Sequence, residues 1–347
     1  MIATMQSLSS NDIIQESDKI MSTKKCILAL LESKRGQSVS GEYIAAQLNV
    51  SRNAVWKAIR ELKKDGYKIE AVTNKGYCLS GDNDILSVQG MLPYLSQEKN
   101  SDKIFVYDSL ESTNKTAKEM AISKAEHGTT IIADSQTKGK GRYNRTFYSP
   151  PGHGIYMSFV LHPKQLQFTT PTLITSFAAV SVCEAIEAIT DKTPQIKWVN
   201  DIFLDGKKIC GILSEAVTDF ESGNTQWIVV GIGINFNTPL MDFPEDLRQI
   251  AGSVFTDGNA STTRNHLAAE IMNRIAALKY DEKKILAKYK QRLFMLGEEI
   301  LVSQASETYI ATAIDIDDIG RLIVKKDSGE ILSLSSGEIT IRAMIPE

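Results

Sequence analysis

The chain has 347 residues, 42% hydrophobic and 23% charged, with 39 Lys and Arg against 42 Asp and Glu for a net charge of −3. That length exceeds one compact core and predicts roughly two or three domains, while the near-neutral balance excludes a chain that is basic throughout and leaves room for a basic patch. No run approaches the roughly 20 apolar residues of a membrane-spanning helix and no secretion signal opens the chain, so a cytoplasmic protein without a membrane partner is expected. Cys26, Cys78, Cys183 and Cys210 stand singly, without a C-x-x-C pair or a nearby His, and read as buried reduced thiols rather than a disulfide framework or a zinc site.

Residues 1–21 are polar and Ser/Asn/Asp/Gln-rich, the composition of a flexible lead. Ser22 to Asp82 carries 11 Lys and Arg against 6 Asp and Glu, a basic module on an acidic body. Thr23 caps a helix with Ile27, Leu28, Leu30 and Leu31 that ends before Gly36, and Ser40 caps a short one with Ile44, Ala45 and Leu48. After a tight Asn49-Val50-Ser51 turn, Ser51 caps a third helix in which Val55, Ile59 and Leu62 recur at helical spacing until Asp65-Gly66. Ile69, Val72, Tyr77 and Leu79 then flank Asn74-Lys75-Gly76 as a short hairpin. This is the order of a winged helix-turn-helix over residues 22–83, with Ser51, Arg52, Asn53, Lys57, Arg60 and the hairpin-tip Lys75 as candidate DNA contacts. A small helical bundle with a solvated basic face is the other reading of the same charges.

Residues 84–296 alternate strand-like stretches (Ile104–Asp108, Thr129–Ser135, Ile155–His162, Ile196–Leu204, Lys208–Val217, Trp227–Phe236) with helices from Ser112, over Pro171–Ile189, near Thr263–Leu278 and over Asp281–Leu296. Strands that follow one another without intervening helices predict an α+β domain with a largely antiparallel or mixed sheet. From Gly297, short strands (Glu299–Val302, Thr308–Asp315, Leu322–Lys325, Ile331–Leu334, Ile339–Arg342) between turns such as Asp327-Ser328-Gly329 and Ser336-Gly337 predict a small SH3-like β-barrel over residues 297–347. The fold class is therefore α+β multidomain.

Nucleophile-elbow, Walker, zincin and dinucleotide fingerprints are all missing, and His127, His153, His162 and His266 stand alone. What the sequence offers instead is polar and Gly clusters beside predicted strands. The most pointed is Gln136-Thr137-Lys138-Gly139-Lys140-Gly141-Arg142-Tyr143-Asn144-Arg145, four cations on a backbone loosened by two glycines. Such a loop can wrap a phosphate or adenylate with N–H groups and side chains together, and is expected to be mobile until one binds. Ser112-Thr113-Asn114, Lys197-Trp198-Val199-Asn200-Asp201, Lys208-Ile209-Cys210-Gly211-Ile212-Leu213 and Gly231-Ile232-Gly233-Ile234-Asn235 complete the set, with Gly211 marking a strand position where a ligand can come close.

In this order and spacing the motifs resemble those of the biotin protein ligases, and with the basic module in front the chain resembles the bifunctional group that is both biotin ligase and biotin-operon repressor. The resemblance covers roughly residues 22–345. It implies a central biotin/lipoate-ligase-like domain and a two-step reaction in which biotin and Mg-ATP give biotinyl-5′-AMP. A lysine of the biotin carboxyl carrier protein of acetyl-CoA carboxylase then attacks that anhydride. By the family pattern Ser112, Thr113, Asn114 and Gln136 hold biotin, Gly139, Lys140, Gly141 and Arg142 close over the carboxylate and α-phosphate, and Lys197 neutralises developing charge beside Gly211. Phe147 and Asn235 meet the adenine, no protein metal site is implied, and the ligand-loaded homodimer grips operator DNA.

The chain departs from that pattern at Lys140, Tyr143, Asn144, Phe147 and Val199, where the family usually has Arg, Arg, Gly, Trp and Pro. Lys keeps charge without the guanidinium fork, and Phe keeps a stacking face without the indole N–H. A lipoate-type ligase and a ligand-sensing repressor with an inactive ligase domain remain as alternatives.

Overall fold

The computed structural model describes residues 22–96, 101–166, 171–218, 223–256, 258, 260–276, 281–304, 307–335 and 338–341. The lead over 1–21, the Ser336-Gly337 turn, Leu278 and Arg342 lie outside the described residues. The chain divides into two compact units, Met1–Ile104 and Phe105–Glu347.

In the first unit, α1 (Thr23–Ser33), β1 (Ser38–Val39), α2 (Gly41–Gln47), α3 (Arg52–Lys64), β2 (Ile69–Val72) and β3 (Gly76–Leu79) follow in the expected order. Each helix begins on a serine whose hydroxyl accepts an otherwise unpaired first-turn N–H: Ser22 from Lys25, Ser40 from Tyr43, Ser51 from Ala54. The apolar stripes close on one core that includes Ile27, Leu31, Ile44, Val55, Ile59, Leu62 and Leu79. β1 adds a third strand to the wing by pairing with β3, a two-residue element too short to carry periodicity. Gly76 makes that pairing possible, since a Cβ on it would lie 2.1 Å from the Val39 carbonyl oxygen. The unit includes the short buried α4 (Val88–Met91), which packs on α1, and Arg35 donates to the carbonyl oxygens of Ser80 (3.3 Å) and Asn83 (2.6 Å) in the segment that leads to it.

The second unit is built on a seven-stranded sheet of β4 (Ile104–Leu110), β5 (Thr129–Gln136), β6 (Gly154–Leu161), β7 (Gln195–Lys197), β8 (Asp201–Leu204), β9 (Lys207–Thr218) and β10 (Thr225–Asn235). The spatial order is β4-β5-β6-β10-β9-β8-β7, antiparallel from β5 through to β7. The continuous strand expected over Ile196–Leu204 is instead the hairpin β7–β8, turning at Trp198–Asn200, with a cis peptide between Trp198 and Val199. Four helices flank the sheet: α5 (Thr113–Ile122) on β5, β6 and β10; α6 (Pro171–Ile189) on β8, β9 and β10; and α7 (Arg264–Ala276) and α8 (Glu282–Arg292), both against α6. Among the described residues no helix is long and apolar enough to cross a membrane.

Five strands follow among the described residues: β11 (Glu299–Gln304), β12 (Glu307–Ile316), β13 (Leu322–Lys325), β14 (Ile331–Leu334) and β15 (Glu338–Ile341). They form an antiparallel sheet ordered β14-β13-β12-β11-β15 around Ile300, Val302, Ala311, Ala313, Leu322 and Val324. This sheet is joined to the β7–β8 turn, where the buried Trp198 Nε1 donates to the Gly320 carbonyl oxygen at 3.0 Å, and Tyr289 Oη of α8 donates to that of Val199 at 2.9 Å. Asp317 shapes the Gly320 turn by accepting from the Ile319 and Arg321 N–H groups at 3.1 and 2.9 Å and from Arg321 Nε at 2.6 Å.

Candidate functional site

On α3, Arg52, Asn53, Lys57 and Arg60 are exposed opposite the buried Val55, Ala58, Ile59 and Leu62, and Lys75 is exposed at the wing tip. Ser51 is exposed too, with its hydroxyl engaged in capping α3. Trp56, not singled out in the sequence, is 52% exposed on the same face with the Arg60 guanidinium 4.6 Å over its ring. A large apolar side chain at i and an arginine at i+4 on a basic helix was the available signal.

The second unit carries a cavity of about 300 Å³ where the start of α5, the loop after β5, the β7–β8 turn and the middle of β9 and β10 meet. Its floor is a stripe of glycines, Gly211 opposite Gly233 across the β9–β10 pair with Gly231 beside them. Two of these positions admit a side chain only if a neighbour moves: a Cβ on Gly231 would lie 2.0 Å from Asn114 Oδ1, and one on Gly233 would lie 2.7 Å from the Phe147 ring. The close approach expected of a ligand at Gly211 is made in this structure by Phe147, 3.4 Å from the corresponding Cβ position.

One wall is a polar network at the start of α5. Ser112 stands at the N-cap without a side-chain cap bond and lines the cavity. The Thr113 N–H donates to Gln136 Oε1 at 2.8 Å, and Gln136 Nε2 donates to Ser149 Oγ at 3.1 Å. Asn114 Nδ2 donates to Glu215 Oε2 at 2.8 Å and to the Leu213 carbonyl oxygen at 3.2 Å. The Ser158 hydroxyl, fully buried on β6, lies 2.8 Å from Thr113 Oγ1 and 2.6 Å from Asn114 Oδ1. Ser158 and Glu215 escaped the sequence reading, although a lone serine within the apolar run Gly154–Leu161 was visible there. Burial would raise the Glu215 carboxyl, but hydrogen bonds from Lys118 and Asn114 and the Lys118 charge outweigh it and hold the group below the ordinary carboxylate range.

The opposite wall is cationic. Lys140, Arg142, Arg145, Lys197 and Lys208 line the cavity, against Asp201 as the lining carboxylate, so the site favours an anion. Lys208 Nζ pairs with Asp201 Oδ2 at 2.8 Å, while Asp201 Oδ1 is buried without a hydrogen-bond partner among the described residues. Asn200 donates from Nδ2 to the Ile212 carbonyl oxygen at 2.9 Å and faces Arg142 Nη1 at 3.4 Å, which makes it a further site residue. Asn235 also lines the cavity and donates from Nδ2 to the Gly252 carbonyl oxygen at 2.9 Å, beneath an apolar edge of Phe243, Leu247 and Ile250.

The glycine-rich loop is a hairpin rather than an open coil. Phe147 N–H donates to the Gly139 carbonyl oxygen at 2.9 Å, Lys140 bridges to Thr146, and the Gly141 N–H donates to that of Arg145 at 2.8 Å. Tyr143 and Asn144 turn the corner with φ of 55° and 57°, two consecutive left-handed residues as in a type I′ turn. Gly139 does not line the cavity: it is buried where a Cβ would come within 2.6 Å of the Phe147 carbonyl oxygen, so its role is to let the hairpin close. Beyond the loop, buried Arg264 reaches Asp134 at 2.6 Å and the Gly154 carbonyl oxygen at 3.2 Å, while the Gly152 N–H donates to Asp134 at 3.0 Å, fixing the segment that leads into β6.

Three family models match this chain: an HTH domain over residues 23–78, the Biotin/lipoate A/B protein ligase family over 106–235, and the Biotin protein ligase C terminal domain over 295–342. Among curated relatives, the bifunctional ligase/repressor BirA of Bacillus spizizenii is 34% identical over 92% of this chain and 98% of its own, and that of Escherichia coli is 28% identical over 91% and 96%. Among solved structures, the biotin protein ligase of Aquifex aeolicus in complex with biotin and ATP is 28% identical, with a TM-score of 0.59 over 69% of this chain and 98% of that one.

Proposed function

The chain belongs to the biotin protein ligases, in their bifunctional ligase/repressor branch, and from that premise we propose how its own residues carry the reaction. Ser112, Thr113, Asn114 and Gln136 bind the polar edges of biotin. The hairpin from Gly139 to Arg142, with Lys140 and Gly141, covers the carboxylate and the α-phosphate of ATP. A carboxylate oxygen attacks the α-phosphorus, pyrophosphate leaves, and biotinyl-AMP forms. No general base is needed because the carboxylate is already a nucleophile; the work is to offset repulsion between anions, which Arg142 and Lys197 do. Phe147 and Asn235 meet the adenine above the Gly211–Gly233 floor. In the second step the ε-amine of a carrier-protein lysine attacks the anhydride carbonyl, an amide forms, AMP leaves, and the amine proton passes to solvent.

Mg2+ would enter with the nucleotide as the counter-ion of its charge. The acceptor is the biotin carboxyl carrier protein of acetyl-CoA carboxylase, in the cytoplasm. When the acceptor is scarce, the adenylate-loaded chain forms a homodimer whose two winged helices bind operator DNA through Ser51, Arg52, Asn53, Lys57, Arg60 and Lys75, a population shift driven by the ligand. DNA affinity that is unchanged by biotin plus Mg-ATP would remove this coupling.

The observation that carries the reading is the convergence of the start of α5, the loop after β5, the β7–β8 turn, β9 and β10 on one cavity with five cations, a glycine floor and a hydrogen-bonded polar wall. The test is to mix the full chain with biotin and Mg-ATP, remove free ligand, and look for retained biotinyl-AMP by mass spectrometry, with lipoate in parallel. Biotinyl-AMP is expected. Lipoyl-AMP alone would assign the site to lipoate, and no adenylate would leave a sensor without catalysis.

A further inference from the structure

The corner of the glycine-rich hairpin makes side-chain contacts of its own. Tyr143 adopts φ 55°, ψ 33°, a left-handed conformation that a bulky residue adopts only where its surroundings over-determine it. Burial does not hold it there, since the side chain is 61% exposed. The type I′ corner accounts for the conformation, and at that corner the phenol lies against the neighbouring guanidinium: Arg142 Cζ is 5.1 Å from the ring centroid, and Nη2 donates to Tyr143 Oη at 3.3 Å. The other edge of the guanidinium faces Asn200 Oδ1 at 3.4 Å, and Asn200 is fixed to β9 by two hydrogen bonds with the Ile212 backbone, at 2.9 and 3.0 Å. A flexible arginine is thus gripped between an aromatic ring of its own hairpin and an amide anchored in the sheet.

We propose that Tyr143 is a positioning residue that sets how long biotinyl-AMP stays bound, by holding the Arg142 guanidinium at the mouth of the cavity. The inference rests on the reading of Arg142 as a cation that faces the adenylate. A guanidinium stacked on a ring keeps its fork in one plane, which favours paired hydrogen bonds to phosphate oxygens over a diffuse attraction. Because the stack is exposed, its contribution is that of a surface cation–π contact, and its loss is expected to speed escape of the intermediate about fivefold. The phenol oxygen adds a weaker second hold.

The test separates the ring from the turn. Tyr143→Gly keeps a residue at ease with positive φ and removes the ring, whereas Tyr143→Phe keeps the ring and removes the oxygen. The full-length protein and each variant are loaded with biotin and Mg-ATP and passed through gel filtration, and bound biotinyl-AMP is followed with time by mass spectrometry. Adenylate formation is read separately from pyrophosphate release in a single turnover, and Arg142→Ala is the reference for complete loss. Tyr143→Gly is expected to accelerate release more than it slows formation, Tyr143→Phe to fall between it and wild type, and Tyr143→Gly to add nothing in the Arg142→Ala background. Wild-type retention by Tyr143→Gly beside a leaking Arg142→Ala would overturn this inference alone. Wild-type retention by Arg142→Ala would overturn the assignment of Arg142, and the role of Tyr143 with it.

Discussion

Gly231→Ala reports on how the polar wall is built. A methyl at Gly231 would lie 2.0 Å from Asn114 Oδ1 and 2.7 Å from its Cγ, so the amide has to leave its place. It then gives up its bonds to the Glu215 carboxylate (2.8 Å), the Leu213 carbonyl oxygen (3.2 Å) and the Ser158 hydroxyl (2.6 Å). At about 1 kcal/mol for each neutral bond and about 2 for the charged one, less what water restores, the loss is about 3 kcal/mol. For a unit of this size each kcal/mol moves the melting midpoint by about 2–4 °C, so a fall of about 6–12 °C is expected in a calorimetric scan, with a higher KM for biotin. In an Asn114→Ala background the three atoms nearest the methyl are gone, and the same substitution should then cost less than about 1 kcal/mol. Equal losses in the two backgrounds would refute the steric origin of the effect.

Glu215 gives a pH prediction with a definite sign. A carboxyl held below its unfolded value contributes stability that is present above the unfolded value and is lost as pH falls through the folded one. Glu215→Gln should therefore be less stable than wild type at neutral pH and converge with it in acid, as denaturant midpoints across pH would reveal; a gap independent of pH would exclude this linkage. For the winged helix, Arg52→Ala and Lys57→Ala should each lower the slope of log affinity against log salt for a random-sequence duplex by about one, by removing one phosphate contact. Slopes equal to wild type would take these side chains off the DNA.

Much of this architecture is legible because local chemistry punctuates it. Ser40 and Ser51 cap the helices they precede, the first helix is capped one residue before the expected Thr23, by Ser22, and Asn49, Asn74 and Gly76 adopt the positive φ that their turns require. The β7–β8 hairpin was hidden because the apolar run through Trp198 and Val199 continues past the turn, while Asn200 and Asp201, the polar residues that mark it, read as chemistry. Ser112, Thr113, Asn114, Gln136 and Lys197 reach the cavity because each sits at the end of a strand or the start of a helix, where a motif keeps its meaning without tertiary knowledge. Ser158 and Glu215 sit within strands, and their value comes from bonds to Thr113, Asn114 and Lys118 on α5, distant in sequence, which no local pattern encodes. The thiols divide likewise: Cys183 and Cys210 are buried, with burial pushing both upward in pKa, whereas Cys26 and Cys78 are only half-buried.

The indole N–H that Trp198 donates to the Gly320 carbonyl oxygen bears on how this chain can be recombined. The partner is a backbone atom, so the join survives almost any change of side chain in the β12–β13 turn but not a change in the turn's path, which Asp317 dictates. Drift at the level of residues is therefore tolerated, while exchange at the level of modules is constrained. A chimera that borrowed the last fifty or so residues of a distant relative would have to import a turn of the same shape, or leave an indole donor stranded beside the segment that carries Lys197 and Asn200.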